Sequence, residues 1–575
     1  MMQIIKLGLF SALFIFNGTV MAQSVYLPHG SREYHLLDRL EIKKTDSGGL
    51  ELFTPRPMLR GSFVREVMRI DSVSRLRGVN EWMELTDVDY YNIEKLLMNN
   101  SDLVPEIASR FKSKKPFLNR FFLTRNNLYE ARTKDFSVVI NPVIQQTQSY
   151  DLSNSKRAFL NSKGLELRGS LGKKIGFYSY LTDNQEQGPL YVINRVDSLR
   201  VVPGAAFNKA FKNDITKRDY FDVRGYLTFK PNNMFDFQYG YDKNFIGYGM
   251  RSLFLSDISA PNLFLKINTR VWKLNYQNLF MELTPTFQSA PGNTLLGKKY
   301  AAMHHLGINV NDNFTLGLFE SVIFNRVDKF DFSYMVPVIF YRAVESGLGS
   351  RDNALIGMDF KANLFQHFQL YGQFLLDEFK LSYFKDRSWG NKTGLQAGIK
   401  YIDVAGVDNL DMAVEYNIVR PYTYSHSDTS TSRFAYPASS YTHYNQPLAH
   451  PLGANFSEVL TVFRYQPKPR IFAEWKTIIA KQGMDSIPNP VKTFGGNIFV
   501  NNTRRAGDVE QGMHQGYVAT TLNSNFLVSY ELRPNLYADA SLLYRRHKKL
   551  GAPTQTTSMI TVGLRWNMLR REYDY

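Results

Sequence analysis

The densest set of chemistry-bearing residues lies between Gly240 and Asp257. Asp242, Lys243, Arg251 and Asp257 bring both signs of charge into a short run, and Gly240, Gly247 and Gly249 allow a bend or a close backbone approach. Opposite charges this near one another read first as an ion-pair cluster that fills an interior, and second as a lumenal constriction or ligand contact. A phosphate-cradling loop is excluded, because the strand–glycine loop–helix order is absent. Asp377 and Glu378 are adjacent carboxylates. In a strand such neighbours point to opposite faces, so without a bulge they cannot converge as a glycosidase pair. They read as a solvated strand end, with a calcium or glycan contact as the alternative. His304 and His305 have the same geometry and no third ligand at a recognisable spacing, so no metal site is expected. No Gly-x-Ser-x-Gly elbow or His-Glu-x-x-His helix occurs. The chain reads as non-enzymatic and without a cofactor. A catalytic site assembled from distant strands is the alternative.

A third cluster is aromatic. The stretch 421–454 carries Tyr422, Tyr424, Tyr436, Tyr441 and Tyr444 with His426 and His443. Aromatic faces stack on sugars or pack at interfaces, and each offers a polar tip. This stretch is therefore the candidate surface contact, and a self-packed lid is the alternative.

Period-two strands must position these residues. From Met559 to Met568, Ile560, Val562, Leu564, Trp566 and Met568 alternate with Thr561, Gly563, Arg565 and Asn567. One face suits lipid and the other carries a charge. The same pattern places Phe221, Val223, Leu227 and Phe229 opposite Asp222, Arg224, Thr228 and Lys230. It places Ile356, Met358 and Phe360 opposite Asp359, Lys361 and Asn363. Such strands belong in a closed antiparallel transmembrane β-barrel, an all-β fold of about eighteen strands in a bacterial outer membrane. Turns at 230–233, 364–367 and 533–535 are tight and should be periplasmic. Stretches 187–217, 325–352, 421–454 and 483–513 should be external loops.

Composition agrees. Phe and Tyr number 42 and 34, yet mean hydropathy is −0.30, as expected when lipid-facing and water-facing residues alternate. The net charge of +17 is dispersed, with no compact basic helix or arm, so nucleic acid is not an expected partner. A basic lumen or mouth meeting lipopolysaccharide phosphates, and ordinary solvated surface, are both open readings. Residues 1–22 read as a signal peptide, with Lys6, the apolar run Leu7 to Phe16 and the small-residue end at Ala22. The absence of cysteine excludes a lipid-modified cysteine and disulfides. Residues 23–130 lack alternation and read as a partly helical periplasmic or plug segment ahead of a barrel at 131–575. Thr86-Asp87-Val88-Asp89 is a capped helix start, and Ser101-Asp102 a second. Arg570 to Tyr575 reads as a polar periplasmic tail whose aromatic end suits barrel insertion.

The run Gly240-Tyr241-Asp242-Lys243-Asn244-Phe245-Ile246-Gly247-Tyr248-Gly249-Met250-Arg251-Ser252-Leu253-Phe254-Leu255-Ser256-Asp257 resembles the signature of the Wzi-type capsule-assembly outer-membrane proteins. Lys163 to Gly169, Gly176 to Gln185 and Leu370 to Phe379 match as well. The wording is most similar to the Bacteroidota gliding-motility RemB-like relatives. The resemblance spans most of the chain. It implies a barrel of about eighteen strands with a helical N-terminal portion and, through the capsule-assembly relatives, attachment of surface polysaccharide. It implies no catalytic residue. The expected partners are outer-membrane lipids and lipopolysaccharide, capsular polysaccharide, and other outer-membrane proteins of a surface complex. A structural role in a gliding or secretion complex, and a porin, are the alternative functions.

Overall fold

A computed structural model describes residues 24–44, 55–76, 83–285, 295–326, 328–337, 340–349, 352–378, 382, 386–427, 438–486 and 491–575. The signal-peptide reading and Tyr436 lie outside the described residues.

Eighteen long strands form the wall. They are β1 Phe136–Asp151, β2 Lys156–Leu171, β3 Ile175–Gln187, β4 Asp214–Phe229, β5 Phe235–Asp242, β6 Asn262–Val271, β7 Leu274–Leu283, β8 Lys299–Asn311 and β9 Phe314–Phe324. The second half is β10 Asn353–Leu364, β11 Phe368–Glu378, β12 Lys392–Tyr401, β13 Leu410–Val419, β14 Phe456–Lys468, β15 Ile471–Met484, β16 Tyr517–Arg533, β17 Leu536–Lys549 and β18 Gln555–Trp566. Each pairs antiparallel with the next, and β18 closes on β1 from Met559↔Asp151 to Trp566↔Ile144. Closure leaves no edge, so strand peptide groups bond to neighbours where no water could serve them.

The alternation faces as the residue types require. Phe221, Val223, Leu227, Ile356, Met358, Val562 and Leu564 are exposed on the outer face, whereas Asp359, Lys361 and Arg565 are buried inside. Arg565 Nε meets Asp539 Oδ2 at 2.9 Å across the lumenal face. Short turns such as 272–273, 365–367 and 534–535 gather at one end, which in this class faces the periplasm. Longer connections gather at the other end.

Ahead of the wall, α1 Arg32–Lys43, α2 Arg60–Leu76 and α3 Asp87–Asn99 pack around Leu37, Leu40, Phe63, Val67, Ile93 and Leu97. Thr86 caps α3 in a reciprocal capping box with Asp89. The second start expected at Ser101-Asp102 gives only a 3-10 turn, Ala108–Phe111. The Asp102 carboxylate instead accepts a hydrogen bond from Arg60 at 2.7 Å, so it is not free to cap a helix. The bundle is fastened to the short-turn end of the barrel by buried charges. Arg39 reaches Asp89 at 3.0 Å, Asp403 at 3.1 Å and Asp411 at 2.5 Å. Lys400 meets Asp38 at 2.7 Å, and Lys95 meets Glu531 at 2.7 Å.

An arginine on the lipid face near the bilayer midplane costs about 2–4 kcal/mol. Val562→Arg should therefore lower the folded fraction sharply while Val562→Leu leaves it unchanged. Heat-modifiable gel migration after refolding into lipid measures this, and equal yields would reverse the assigned faces.

Candidate functional site

The lumen is the place where the candidate residues meet. Several stretches of chain turn into it, 491–506 with its buried Ile498 among them, and four join the candidate residues to the plug and the wall. The 243–261 connection, expected from its glycines to bend, folds inward with Phe245, Ile246, Leu253, Phe254 and Leu255 fully buried. Phe245 and Ile246 pair as a short strand with Arg56 and Pro55 of the N-terminal segment. A Cβ on Gly249 would overlap the Glu415 carboxylate, and this close approach lets the Met250 and Arg251 N–H groups donate to Glu415 at 2.8 and 3.1 Å.

The four charges of that run do not form one cluster. Asp242 accepts from the Lys243 N–H at 2.8 Å, and Lys243 Nζ donates to the Asp257 carbonyl at 3.0 Å. Asp257 faces His29 of the plug at 2.9 Å. Arg251 lies between Glu458 and Asp574, 3.5 Å from each. Burial alone would raise the Asp257 carboxyl, but His29 and Lys243 outweigh it and hold the group well below the usual range. Burial, with Arg224 adding, pulls the Lys243 ammonium down to about 8. These residues thus join plug, run, wall and tail through internal hydrogen bonds and charge contacts.

Residues 420–427 and 438–455 are the second inward stretch, and here the exposed-surface expectation is corrected for the described residues. Tyr422, Tyr424, Tyr441 and His443 are buried, and Tyr444 and His426 are half-buried. Their polar tips find backbone acceptors inside. Tyr424 Oη donates to Leu253 O and Tyr441 Oη to Phe254 O, both at 2.7 Å. Tyr422 Oη donates to Thr493 O at 2.8 Å. A hydrophobic face with a satisfied hydroxyl is stable in an interior, so the stretch packs as a lid on the 243–261 run.

Asp377 and Glu378 belong to the lid's anchorage. Pairing between β11 and β12 slips between Leu376 and Glu378. This bulge overrides the expected opposition of the two side chains. Both carboxylates approach Lys392 Nζ, at 3.9 and 3.0 Å. Lys392 also donates to Ser425 O, and Asp377 accepts the Tyr424 N–H at 2.6 Å. A buried lysine between the acids makes them a clamp rather than an acid–base pair. His304 and His305 do point to opposite faces: His305 is inside, 2.7 Å from Asp359, and His304 is outside against Tyr341. Among the described residues no three metal-donor side chains converge.

The third inward stretch is 188–205, with α4 Leu190–Leu199 buried on Tyr191, Val192 and Val196 and with Val202 and Ala205 packed against it. The fourth is the C-terminal tail, which corrects the periplasmic-tail reading. Tyr573 O accepts from Tyr191 Oη at 2.7 Å, Arg571 meets Glu186 at 2.8 Å, and Asp574 meets Lys476 at 3.4 Å. Buried Asp574 is held well below the carboxylate range because Arg251 and Lys476 outweigh its burial. The tail re-enters because the lumen offers these partners. The sequence signal was its alternation of charge and tyrosine.

Between α1 and these segments lies a cavity of about 750 Å³, lined by Tyr180, Tyr220, Tyr371, Arg224, Arg464, Lys476 and Glu474 among others. Three of its cations face carboxylates: Arg224 with Asp222 at 2.7 Å, Arg464 with Glu474 at 2.9 Å, and Lys476 with Glu572. Lysines and arginines still outnumber aspartates and glutamates along the lining, so the lumen is basic with part of its charge matched internally.

A closed barrel with an apolar outer face and charged inner face is an outer-membrane protein. No protein-family model and no curated protein matches this chain by sequence. Among solved structures it is similar to Wzi, an outer membrane protein involved in group 1 capsule assembly in Escherichia coli and a carbohydrate-binding β-barrel. The TM-score is 0.52 at 12% identity, over 95% of this chain and 99% of Wzi. The outer membrane protein OprD from Pseudomonas aeruginosa aligns at a TM-score of 0.39 and 11% identity, over 75% of this chain and 94% of that one. Acinetobacter baumannii OccAB2 aligns at 0.39 and 9% identity, over 75% and 98%. The last two likenesses are too distant to support an argument. The fold is that of a Wzi-like outer-membrane barrel.

His443 makes the lid sensitive to acid. Its Nδ1 accepts the Thr284 N–H at 2.9 Å, and its Nε2 lies 3.2 Å from the Pro261 carbonyl, which it serves as donor. Burial, aided by Lys299 and Lys243, lowers its pKa to about 4. Protonation would set a second donor against the Thr284 N–H. The unfolded lid binds the proton near pH 6.5 and the folded lid only near 4. Stability is therefore intact above 6.5 and falls by about 3 kcal/mol as pH drops through that window. Protease cleavage within 420–455 should rise between pH 6.5 and 4, and His443→Gln should flatten the rise. An unchanged pH profile in that variant would remove His443 from the lid's stability.

Proposed function

We propose that this protein is a non-enzymatic outer-membrane barrel that assembles or retains surface polysaccharide. The observation that carries the reading is the filled lumen. The helical plug, the 243–261 run, the lid and the C-terminal tail are joined by buried charges where an eighteen-strand barrel would otherwise leave room for a water channel. Such a barrel is suited to presenting surfaces at its two ends, not to passing solutes. The likeness to Wzi, whose capsule-assembly role and carbohydrate binding are its own, supports the same reading. The partners on this reading are lipopolysaccharide and capsular polysaccharide. A second reading is a structural subunit of a gliding or secretion complex, favoured by the similarity of the Gly240–Asp257 run to the RemB-like Bacteroidota relatives.

A strain lacking the gene should shed polysaccharide into the medium, and the wild-type gene should restore cell-bound polysaccharide. The intact protein should give no steady conductance in planar bilayers. Unchanged cell-bound polysaccharide together with defined co-purifying proteins would favour the complex subunit, and steady conductance would favour a porin.

A further inference from the structure

Within the 325–352 connection, the described residues 328–337 and 340–349 do not rise from the barrel end like an ordinary loop. The outward-facing residues in the upper halves of β7, β8 and β9 should be the most exposed apolar side chains of the wall. Instead Phe280, Tyr300, Ala302, Val322 and Phe324 are buried, while Leu318, one outward position below Glu320, is 49% exposed. Only chain lying outside the wall can cover them, and it does: Phe330, Tyr334, Tyr341 and Val344 pack on that patch. The helix α5 Tyr341–Leu348 thus lies against the exterior of the barrel.

The wall has a seat for it. Asn278, His304 and Glu320 form one outward row across three paired strands, a set of polar groups where lipid-facing apolar residues are expected. Glu320 pairs directly with Ile356, which is 48% exposed on the same face. The Glu320 carboxylate accepts the Arg342 N–H at 3.1 Å, at the positive end of α5. The Tyr341 ring lies 4.0 Å from the His304 ring. Arg326, bound to Asp352 at 2.7 Å and to Asp331 at 3.2 Å, ties down the base of the segment, and Tyr334 Oη donates to Asp352 at 2.6 Å. The polar row is thus covered and partly satisfied by a fixed segment. The other face of that segment carries Phe332 and Phe340, 75% and 77% exposed, with Val336 and Leu348 exposed beside them.

We propose that residues 330–337 and 340–348 form an interfacial segment on the outside of the barrel, seating Phe332, Val336 and Phe340 among the headgroups and upper acyl chains of the outer leaflet. The occupant is lipid because the patch continues the lipid-facing belt: Leu318 and Met358, exposed and paired with each other, lie directly below the row that α5 covers. A helix with one face on protein and aromatic residues beside it suits the interface between water and hydrocarbon. This inference is independent of the polysaccharide reading.

The chain has no cysteine, so single labels can be placed at will. Phe340→Cys and Phe332→Cys, each carrying a nitroxide, are examined in the full-length protein in lipopolysaccharide-containing vesicles. Leu564→Cys in the belt and Ser153→Cys in the 152–155 turn serve as references. Collision with oxygen relative to a water-soluble nickel chelate should be several-fold higher at 332 and 340 than at 153 and approach that at 564. A ratio equal to that at 153 would place the segment in water and overturn the proposal. Low collision with both agents at 332 and 340 would mean that a second copy or a protein partner covers the patch, and would overturn it equally.

Discussion

A strand crossing lipid has no water to serve its peptide groups, and everything else in this molecule follows from that. The strands must pair on both sides, so the sheet must close, here by β18 on β1. Closure with eighteen strands leaves a bore wider than wall side chains can fill. The interior is therefore filled by chain, and because the lumenal face is polar, the filling is polar too. Arg39 on α1, Arg251 in the inward run, Lys392 beneath the lid and Lys476 beside the tail each meet carboxylates from another element.

Such pairs hold by matching rather than by strength. Removing one partner leaves a buried charge, which is far more destabilising than the pair is stabilising. The plug, run, lid and tail thus depend on one another. Arg251 touches the wall through Glu458 and the tail through Asp574, and its own N–H is held by Glu415. A lumen built this way is a scaffold that ties the plug, the inward run, the lid and the tail to one wall.

The outer wall obeys the complementary rule. Its exposed apolar residues face lipid, and where His304 and Glu320 break the pattern, α5 and the chain before it cover them and the apolar patch above. One residue alternation thereby governs both the filled interior and the asymmetric exterior.

The sequence by itself determined the wall. Alternation at 221–229, 356–363 and 559–568 specifies which side chains face lipid, because the two-residue period is a property of the strand and needs no distant partner. The Thr86 cap was legible for the same reason: its partner lies three residues away. Only the tertiary structure decided where the connections go. Tyr424 and Tyr441 are equally suited to a sugar or to an interior, and the carbonyls of Leu253 and Phe254 that claim them lie far off in the chain. Asp377 and Glu378 looked opposed until a bulge, set by pairing with β12, turned both toward Lys392. The tail and α5 are placed by Arg251 and Glu320, whose partners become neighbours only once the barrel closes. Local periodicity is written in consecutive residues, whereas the choice among several chemically adequate partners is made by proximity that folding alone creates.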